Sequence, residues 1–593
     1  MNKLFEYPYA ISLLQRKRKF IKKELISRIK ENNSSRLIRI AILGGGNSSE
    51  ISQMIELFLL QCGFIPEIYE SGFNRYYEEV IFDTGSLNKF TPDVVLIHVT
   101  QRDIENLPNI YDKIDVVNSK IEKEFLKYKS ICENLILKFK CPIIHNNFEY
   151  PESRPMGNLE ASSYCGKIYF INQLNEKLYK YCTDTASIFI NDLNYLAASF
   201  GLHKWHDSNA WCNYKFAYNL DAYPFIAANI VNIIKAIKGI SKKCLVLDLD
   251  NTLWGGVIGD DGIEGILLGN GNPIGEAFQL FQKYIKRLKE RGVILAICSK
   301  NEIQSAIDGF SHPSSILKFE DFAEVECSWN SKVDGLKKIA SKLNIGLDSI
   351  VFFDDNPAER KLISDNLPQV SVPNIGEDVG NYLDILDKSG FFETTKVLDE
   401  DLKKISFYKQ NAERNALQLK YENHHDFLLS LKMKAEIKNF SRPSVDRISQ
   451  LINKTNQFNL TNKRMDQTIV DSLIDQPNFM TLCARLEDIF GDNGLVSALV
   501  GQIKDHCLYI DLWVMSCRVF SRNLELAIFD TLIEKCIQQN IKKIQGVFHE
   551  SKKNAIVSCL YQQLGFNTSG NGTWEMTNLD KYIPLNQVIE VTK

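Results

Sequence analysis

A chain of 593 residues, 44% of them apolar and 24% charged, has room for three to four domains of about 150 residues each. Seventy Lys and Arg against 73 Asp and Glu leave a formal charge of −3, so no global field recruits nucleic acid or an anionic membrane. Residues 1–15 lack the charged-then-apolar layout of a secretory signal, no apolar run reaches the ~20 residues that span a bilayer, and the 14 cysteines show no paired C-x-x-C spacing; the expectation is a cytoplasmic protein with reduced thiols.

The basic stretch 16–30, R-K-R-K-F-I-K-K-E-L-I-S-R-I-K, carries apolar residues at helical spacing, so 1–36 reads as a helical segment. Packing on the next domain is expected, with a membrane or nucleic-acid role as the alternative. From residue 37 strands (37–43, 66–70, 93–99, 142–147) alternate with helices, which predicts a doubly wound parallel sheet over 37–240. Gly44-Gly45-Gly46-Asn47-Ser48-Ser49-Glu50 opens its first helix.

A second α/β domain is expected over 241–390. Its first strand ends in Asp248-Leu249-Asp250-Asn251-Thr252. Strand alternation sets Asp248 and Asp250 on one side, at the carboxyl end of a strand covered on both faces, where open α/β sheets bind ligands. Two carboxylates so close repel each other unless a cation sits between them, and Mg2+, held through a few carboxylate oxygens plus substrate phosphate, is the expected one. A second apolar strand ends in Cys298-Ser299-Lys300-Asn301, and a third in Asp354 and Asp355, a pair able to complete the metal site. Cys298 has two readings: a nucleophilic thiol activated by Lys300, Lys332 or the metal, or a small buried residue at a strand end. A helical linker is expected over 391–430. The remainder, 431–593, alternates strands (434–438, 479–486, 494–503, 507–515, 544–548) with helices (445–453, 522–538, 553–564) as an α+β domain.

D-L-D-N-T-L-W-G-G-V-I-G-D-D-G, C-S-K-N, W-N-S-K and F-F-D-D-N-P-A-E-R together resemble the haloacid dehalogenase (HAD) superfamily of phosphotransferases, in its FkbH-like branch (subfamily IIIC). The resemblance implies that Asp248 attacks phosphorus, Asp250 is general acid/base and Lys332 neutralises charge. It places Asn251, Thr252, Trp254, Ser299, Lys300 and Asn301 around the phosphate, and Asp248, Asp250, Asp354 and Asp355 around Mg2+. Trp254 either covers the substrate or packs in the core. The branch is associated with taking a glyceryl unit from 1,3-bisphosphoglycerate, a small phosphorylated three-carbon substrate, with loss of phosphate, onto the phosphopantetheine thiol of an acyl carrier protein.

The N-terminal domain resembles an SGNH-hydrolase-like domain, with Gly46 where the nucleophilic serine would stand. Ser48 either substitutes for that serine or, the commoner role at such a position, caps the following helix, and His206-Asp207 departs from the hydrolase D-x-x-H order. This implies a degenerate domain that binds a partner or shapes the acyl site. The C-terminal domain resembles the GNAT acyltransferase fold through T-N-Q-F-N-L-T, F-G-D-N-G-L-V and W-V-M-S-C-R-V. In its R/Q-x-x-G-x-G/A loop both glycines are replaced, by Ser521 and Asn523, which weakens any grip on coenzyme A. Arg518 and Arg522 are left to meet a phosphopantetheine phosphate. Tyr561 stands at the general-acid position or in the core, and Cys517 is a second candidate thiol or another buried strand-end cysteine. The implied architecture is therefore α/β and multidomain: SGNH-like, HAD-like Rossmannoid, then GNAT-like. Two other functions stay open: a plain phosphatase on another phosphate ester, and a carrier-docking scaffold with a silent site.

Overall fold

The computed structural model of the chain describes residues 2–31, 36–82, 85–398, 407, 410–411, 413–414, 417–551, 553–570 and 572–592. The chain forms two compact units, Met1–Ile237 and Lys238–Lys593. The expected boundary at 240 falls close to that division, while the second α/β domain and the C-terminal domain share the second unit.

In the first unit, strands β1 (Arg36–Gly44), β2 (Phe64–Glu70), β3 (Val94–His98), β4 (Ile143–Asn146) and β5 (Ile188–Asn191) form a parallel sheet in the order β2-β1-β3-β4-β5. Every residue of β3 and β4 is buried, as strands covered on both faces require. Ala41, Leu43, Val95 and Ile97 share a core with the helices Ile114–Phe139 and Lys167–Asp184. The basic segment is a helix, Arg18–Glu31, that buries Ile21, Leu25 and Ile29. It joins the helix Ser49–Gln61 through the ion pairs Arg18–Glu50 and Lys22–Glu56, partly exposed contacts worth under about 1 kcal/mol each. The stretch Leu220–Ile237 has the length and apolarity to cross a membrane. Its helix Tyr223–Ile237 nevertheless buries Ile226, Ile230 and Ile234, one stripe at helical spacing, as a core helix does.

The second unit begins with a four-stranded parallel sheet: β6 (Cys244–Leu247), β7 (Ile294–Ser299), β8 (Glu324–Cys327) and β9 (Ile350–Phe353), in the order β8-β7-β6-β9. Because β6 lies between β7 and β9, the residues following it are flanked by Ser299 on one side and Asp354 on the other. The second sheet comprises β10 (Met433–Lys438), β11 (Phe458–Asn459), β12 (Phe479–Asp488), β13 (Gly491–Lys504), β14 (Cys507–Met515), β15 (Lys543–Val547), β16 (Asn567–Gly570), β17 (Thr573–Thr577) and β18 (Ile589–Thr592). Their order is β16-β17-β15-β14-β13-β12-β10-β18, with β11 paired to β14. Strands β14 and β15 run parallel only from Cys507 to Ile510 and then diverge. The divergence is filled by the chain itself: Leu460 donates its N–H to the Trp513 carbonyl at 3.3 Å and accepts from His549 at 2.8 Å.

Segments flanking the strands of this second sheet meet the chain just ahead of β6 and β9. Asn344 Nδ2 donates to the Cys517 carbonyl at 2.9 Å, Lys243 Nζ to the Lys454 carbonyl at 3.1 Å, and Lys553 pairs with Asp348.

Three expected elements differ. The helix expected over 522–538 starts at Leu524, because Ser521 and Asn523 both take left-handed backbone, each with φ +59°. The helix expected over 553–564 is broken into Ala555–Val557 and Leu560–Gln563; fully buried Asn554 donates to the carbonyls of Asn459 and His549 and holds the chain out of helical register. Of the linker expected over 391–430, residues 399–406, 408–409, 412 and 415–416 lie outside the described residues, and His424–Ser430 is a helix.

Candidate active site

The site is built at the carboxyl ends of β6, β7 and β9. Asp248 follows β6 directly and its N–H donates to the Phe353 carbonyl at 3.0 Å, which extends the pairing of β6 with β9 by one residue. Asp354 follows β9 and is fully buried. Between them lies Lys332, the first residue of the helix Lys332–Lys342, capped by Ser331, whose hydroxyl accepts from the Val333 N–H. Lys332 Nζ is 3.0 Å from Asp248 Oδ2 and 2.6 Å from Asp354 Oδ2, with 4% of its surface exposed. Burial alone would push this ammonium down; the two carboxylates outweigh burial and hold it above the ordinary lysine range. Burial, then the Asp248 charge, push Asp354 up to about 6 against the opposing effect of Lys332, and Asp355 is raised for the same first two reasons.

Asp248, Asp354 and Asp355 each bring one carboxylate oxygen within 4.8 Å of the others. Asp248 Oδ1 is buried and has no hydrogen-bond partner among the described residues. An oxygen donor set with one acceptor left unsatisfied fits a hard divalent cation. The group is supported from behind. The Asn356 N–H donates to Asp354 Oδ1 at 2.8 Å, and Arg360 Nη1 donates to the carbonyls of Asp354 at 2.8 Å and Asp355 at 2.5 Å.

Asp250, expected among the metal ligands, is outside this group. Its Oδ1 accepts from Trp254 Nε1 at 2.9 Å and from the Ile258 N–H at 3.0 Å, and its Oδ2 accepts from Asn301 Nδ2 at 2.8 Å. Three donors thus occupy the carboxylate that was expected to bind metal. Ser299 and Asn301 do sit beside it: Asn301 Nδ2 is also 3.2 Å from Ser299 Oγ.

Several other expectations are corrected by side-chain direction. Thr252 is fully buried with its hydroxyl on Asp355 (3.3 Å to Oδ1, and 3.2 Å from the Asp355 N–H), so it supports a carboxylate rather than phosphate. Asn251 has φ +54° and accepts from the Gly256 N–H, closing the loop on itself. Lys300 is paired with Glu359 at 2.6 Å. Trp254 takes the core reading: it is fully buried, edge-on to Phe310 at 5.4 Å.

Cys298 is also corrected. One residue before Ser299, it points to the opposite face of β7. Its sulfur lies in the apolar cluster with Val333, Leu336 and Phe352, against Gly335, where an added Cβ would stand 2.7 Å away. Burial pushes this thiol up to about 12, so a neutral core thiol replaces the expected acyl-accepting nucleophile.

The residues expected to form a pantetheine site do not gather around one. Cys517 lies beside Asn344, past the far end of the helix that begins at Lys332, about 16 Å along its axis. Arg522 is spent internally, with Nη1 3.1 Å from Asp488 and Nη2 donating to Asn411 and to the Arg518 carbonyl; burial pushes it down to about 10. Arg518 stacks on Phe407 at 4.6 Å. Tyr561 is core, 1% exposed, its ring over Gly546 and stacked with Trp574.

In the first unit, Gly46 has no side chain to act, and a Cβ there would lie 3.1 Å from the Lys215 carbonyl. Ser48 stands at the N-cap position without capping; its hydroxyl donates to Glu70 at 2.5 Å. His206 Nε2 lies 3.0 Å from the Tyr150 carbonyl.

Asn356 and Arg360, which brace the site, had no role in the sequence-based expectations. The signal was present in Asn356-Pro357-Ala358-Glu359-Arg360: an N-cap followed by proline at N1 marks a helix start that fixes the preceding carboxylates.

The family model described as "FkbH, N-terminal domain" matches residues 39–235. The N-terminal part of the protein BF1531 from Bacteroides fragilis, containing a phosphatase domain complexed with Mg, is 33% identical to this chain, covering 63% of it and 99% of the solved chain, with a TM-score of 0.59. The ribosomal-protein-S18-alanine N-acetyltransferase from Escherichia coli matches 25% of this chain and 99% of its own at 13% identity and a TM-score of 0.19. A GNAT-family acetyltransferase from Streptococcus pneumoniae matches 24% of this chain and 99% of its own at 13% identity and a TM-score of 0.21. No curated protein matches the chain.

Proposed function

The chain belongs to the FkbH-like family, and on that premise we propose that it is a magnesium-dependent phosphatase of the HAD type. The observation that carries this reading is Lys332 bridging Asp248 and Asp354 at 3.0 and 2.6 Å while the second Asp248 oxygen has no partner among the described residues. Asp248 is the nucleophile, attacking phosphorus to form an aspartyl phosphate. Asp250 gives its proton to the departing oxygen, then takes one from the water that cleaves the intermediate. Ser299 and Lys332 hold phosphoryl oxygens. Mg2+, held by Asp248, Asp354 and Asp355, supplies further charge neutralisation when bound.

The finer reading is loading of a glyceryl unit. The substrate is 1,3-bisphosphoglycerate and the acceptor is the phosphopantetheine thiol of an acyl carrier protein. The carrier thiol attacks the acyl carbon, the bond to the acyl phosphate oxygen breaks and phosphate leaves. The remaining phosphate ester is hydrolysed at Asp248. The burial of Cys298 and the remoteness of Cys517 support direct attack by the carrier thiol rather than an acyl-enzyme. Intact-protein mass spectrometry of enzyme, candidate carrier and 1,3-bisphosphoglycerate tests this. Wild type should leave glyceryl on the carrier, and Asp248→Asn should leave phosphoglyceryl. Phosphate release without any loaded carrier would make the plain phosphatase the better account. Neither release nor loading would leave the docking scaffold.

A further inference from the structure

Three N–H groups from three parts of the chain converge on the Asp250 carboxylate. Trp254 Nε1 comes from the loop after β6, Asn301 Nδ2 from the end of β7, and the Ile258 backbone N–H from the first residue of the helix Ile258–Gly265. Neither side-chain donor is free to swing. Trp254 is fully buried and sits against Gly309, where a Cβ would approach its ring to 2.6 Å. The carbonyl of Leu253, just before it, accepts from buried Gln282 at 2.9 Å. Asn301 is 6% exposed, and its amide is shared with Ser299. A tryptophan that only filled space would not need its one polar atom aimed at a carboxylate.

We propose that Trp254 and Asn301 are positioning residues, which fix the Asp250 carboxylate in the orientation that passes a proton to the leaving oxygen, and that Ile258 ties the helix Ile258–Gly265 to the same carboxylate. This rests on the phosphatase reading. A misaligned acid costs most when the leaving group is a poor one. General acid catalysis as a whole is worth roughly 10²–10⁴-fold, and loss of one of three orienting donors should forfeit part of it.

The test is kcat/KM of Trp254→Phe and of Asn301→Leu on an alkyl phosphate and on 2,4-dinitrophenyl phosphate, whose leaving group needs no proton. Each variant should lose about 10- to 100-fold on the alkyl ester and less than about 3-fold on the dinitrophenyl ester. In an Asp250→Asn background, Trp254→Phe should cause no further loss on either substrate, since it acts only through Asp250. Equal losses on both esters, or a full additional loss in that background, would show a merely structural role and overturn the proposal. No loss in either variant would overturn it as well. If wild type released no phosphate from any ester, the phosphatase reading itself would fail, and the proposal with it. Asn301→Leu covers the case in which the tryptophan variant does not fold.

Discussion

Lys332→Met removes a buried cation from between two buried carboxylates while keeping most of the side chain's volume. With distances of 3.0 and 2.6 Å, and an effective dielectric of about 20, the two attractions are about 5.5 and about 6.4 kcal/mol gross. Most of that offsets the desolvation of three charges, so the net cost of unpairing is about 3–5 kcal/mol. At roughly 2–4 °C per kcal/mol for a domain of this size, the apparent Tm of the full-length protein in EDTA should fall by roughly 6–20 °C. Two further melts isolate the cause. Mg2+ should raise the Tm of Lys332→Met more than that of wild type, because the cation then offsets the carboxylate repulsion alone. Lys332→Met/Asp354→Asn should be more stable than Lys332→Met, because the second change removes one of the stranded charges. A double variant no more stable than the single one would refute the reasoning, whatever the size of the first drop.

Two other outcomes are expected. Cys298→Ala should cost only about 1 kcal/mol and keep phosphate release within about 3-fold of wild type, and in the wild-type protein iodoacetamide should leave Cys298 unlabelled; a loss beyond about 10-fold would return the sulfur to the chemistry. Glu149, 1% exposed, is pushed up to about 8 by burial, with the Asp103 charge adding to it against backbone hydrogen bonds and Arg102. The folded state therefore holds a proton that the unfolded state has released, so stability falls as pH rises from about 4.5 to about 8, by on the order of 4–5 kcal/mol over the whole window. Hydrogen-exchange protection of the β3 and β4 peptides, corrected for intrinsic rates, should decline across that window in wild type and stay flatter in Glu149→Gln. Parallel profiles would contradict the assignment.

The strand ends were legible in the sequence because parallel strands buried on both faces read as continuous apolar runs, and the residues just past such a run stand at the ligand-binding edge. That was enough to bring Asp248, Ser299 and Asp354 together, whereas Lys332, at a helix start, came from the family resemblance. Direction was harder to read. Cys298 and Ser299 are neighbours in sequence, yet period-two alternation sends the sulfur into the core and the hydroxyl towards Asp250. Thr252, Trp254 and Asn301 lie near Asp250 and Asp355, but which polar atom each satisfies depends on partners 4 to 103 residues away. In the C-terminal domain, β11 is two residues long and carries no periodicity, so the sequence offered no sign that the segment around Leu460 would fill the gap between β14 and β15. The Ser521 and Asn523 replacements suggested a lost glycine loop, whereas the backbone keeps left-handed conformations at both positions.

In the proposed reaction, phosphate passes through a covalent bond to one named carboxylate. Acid-quenching the full-length enzyme, with Mg2+, during turnover of 1,3-bisphosphoglycerate or an aryl phosphate, and mapping the phosphorylated peptide by mass spectrometry, tests it directly. A phosphoryl group is expected on Asp248, absent in Asp248→Asn, which also releases no phosphate from the aryl ester. Phosphate release from the aryl ester at the wild-type rate by Asp248→Asn, or the label on any other residue, would overturn that assignment.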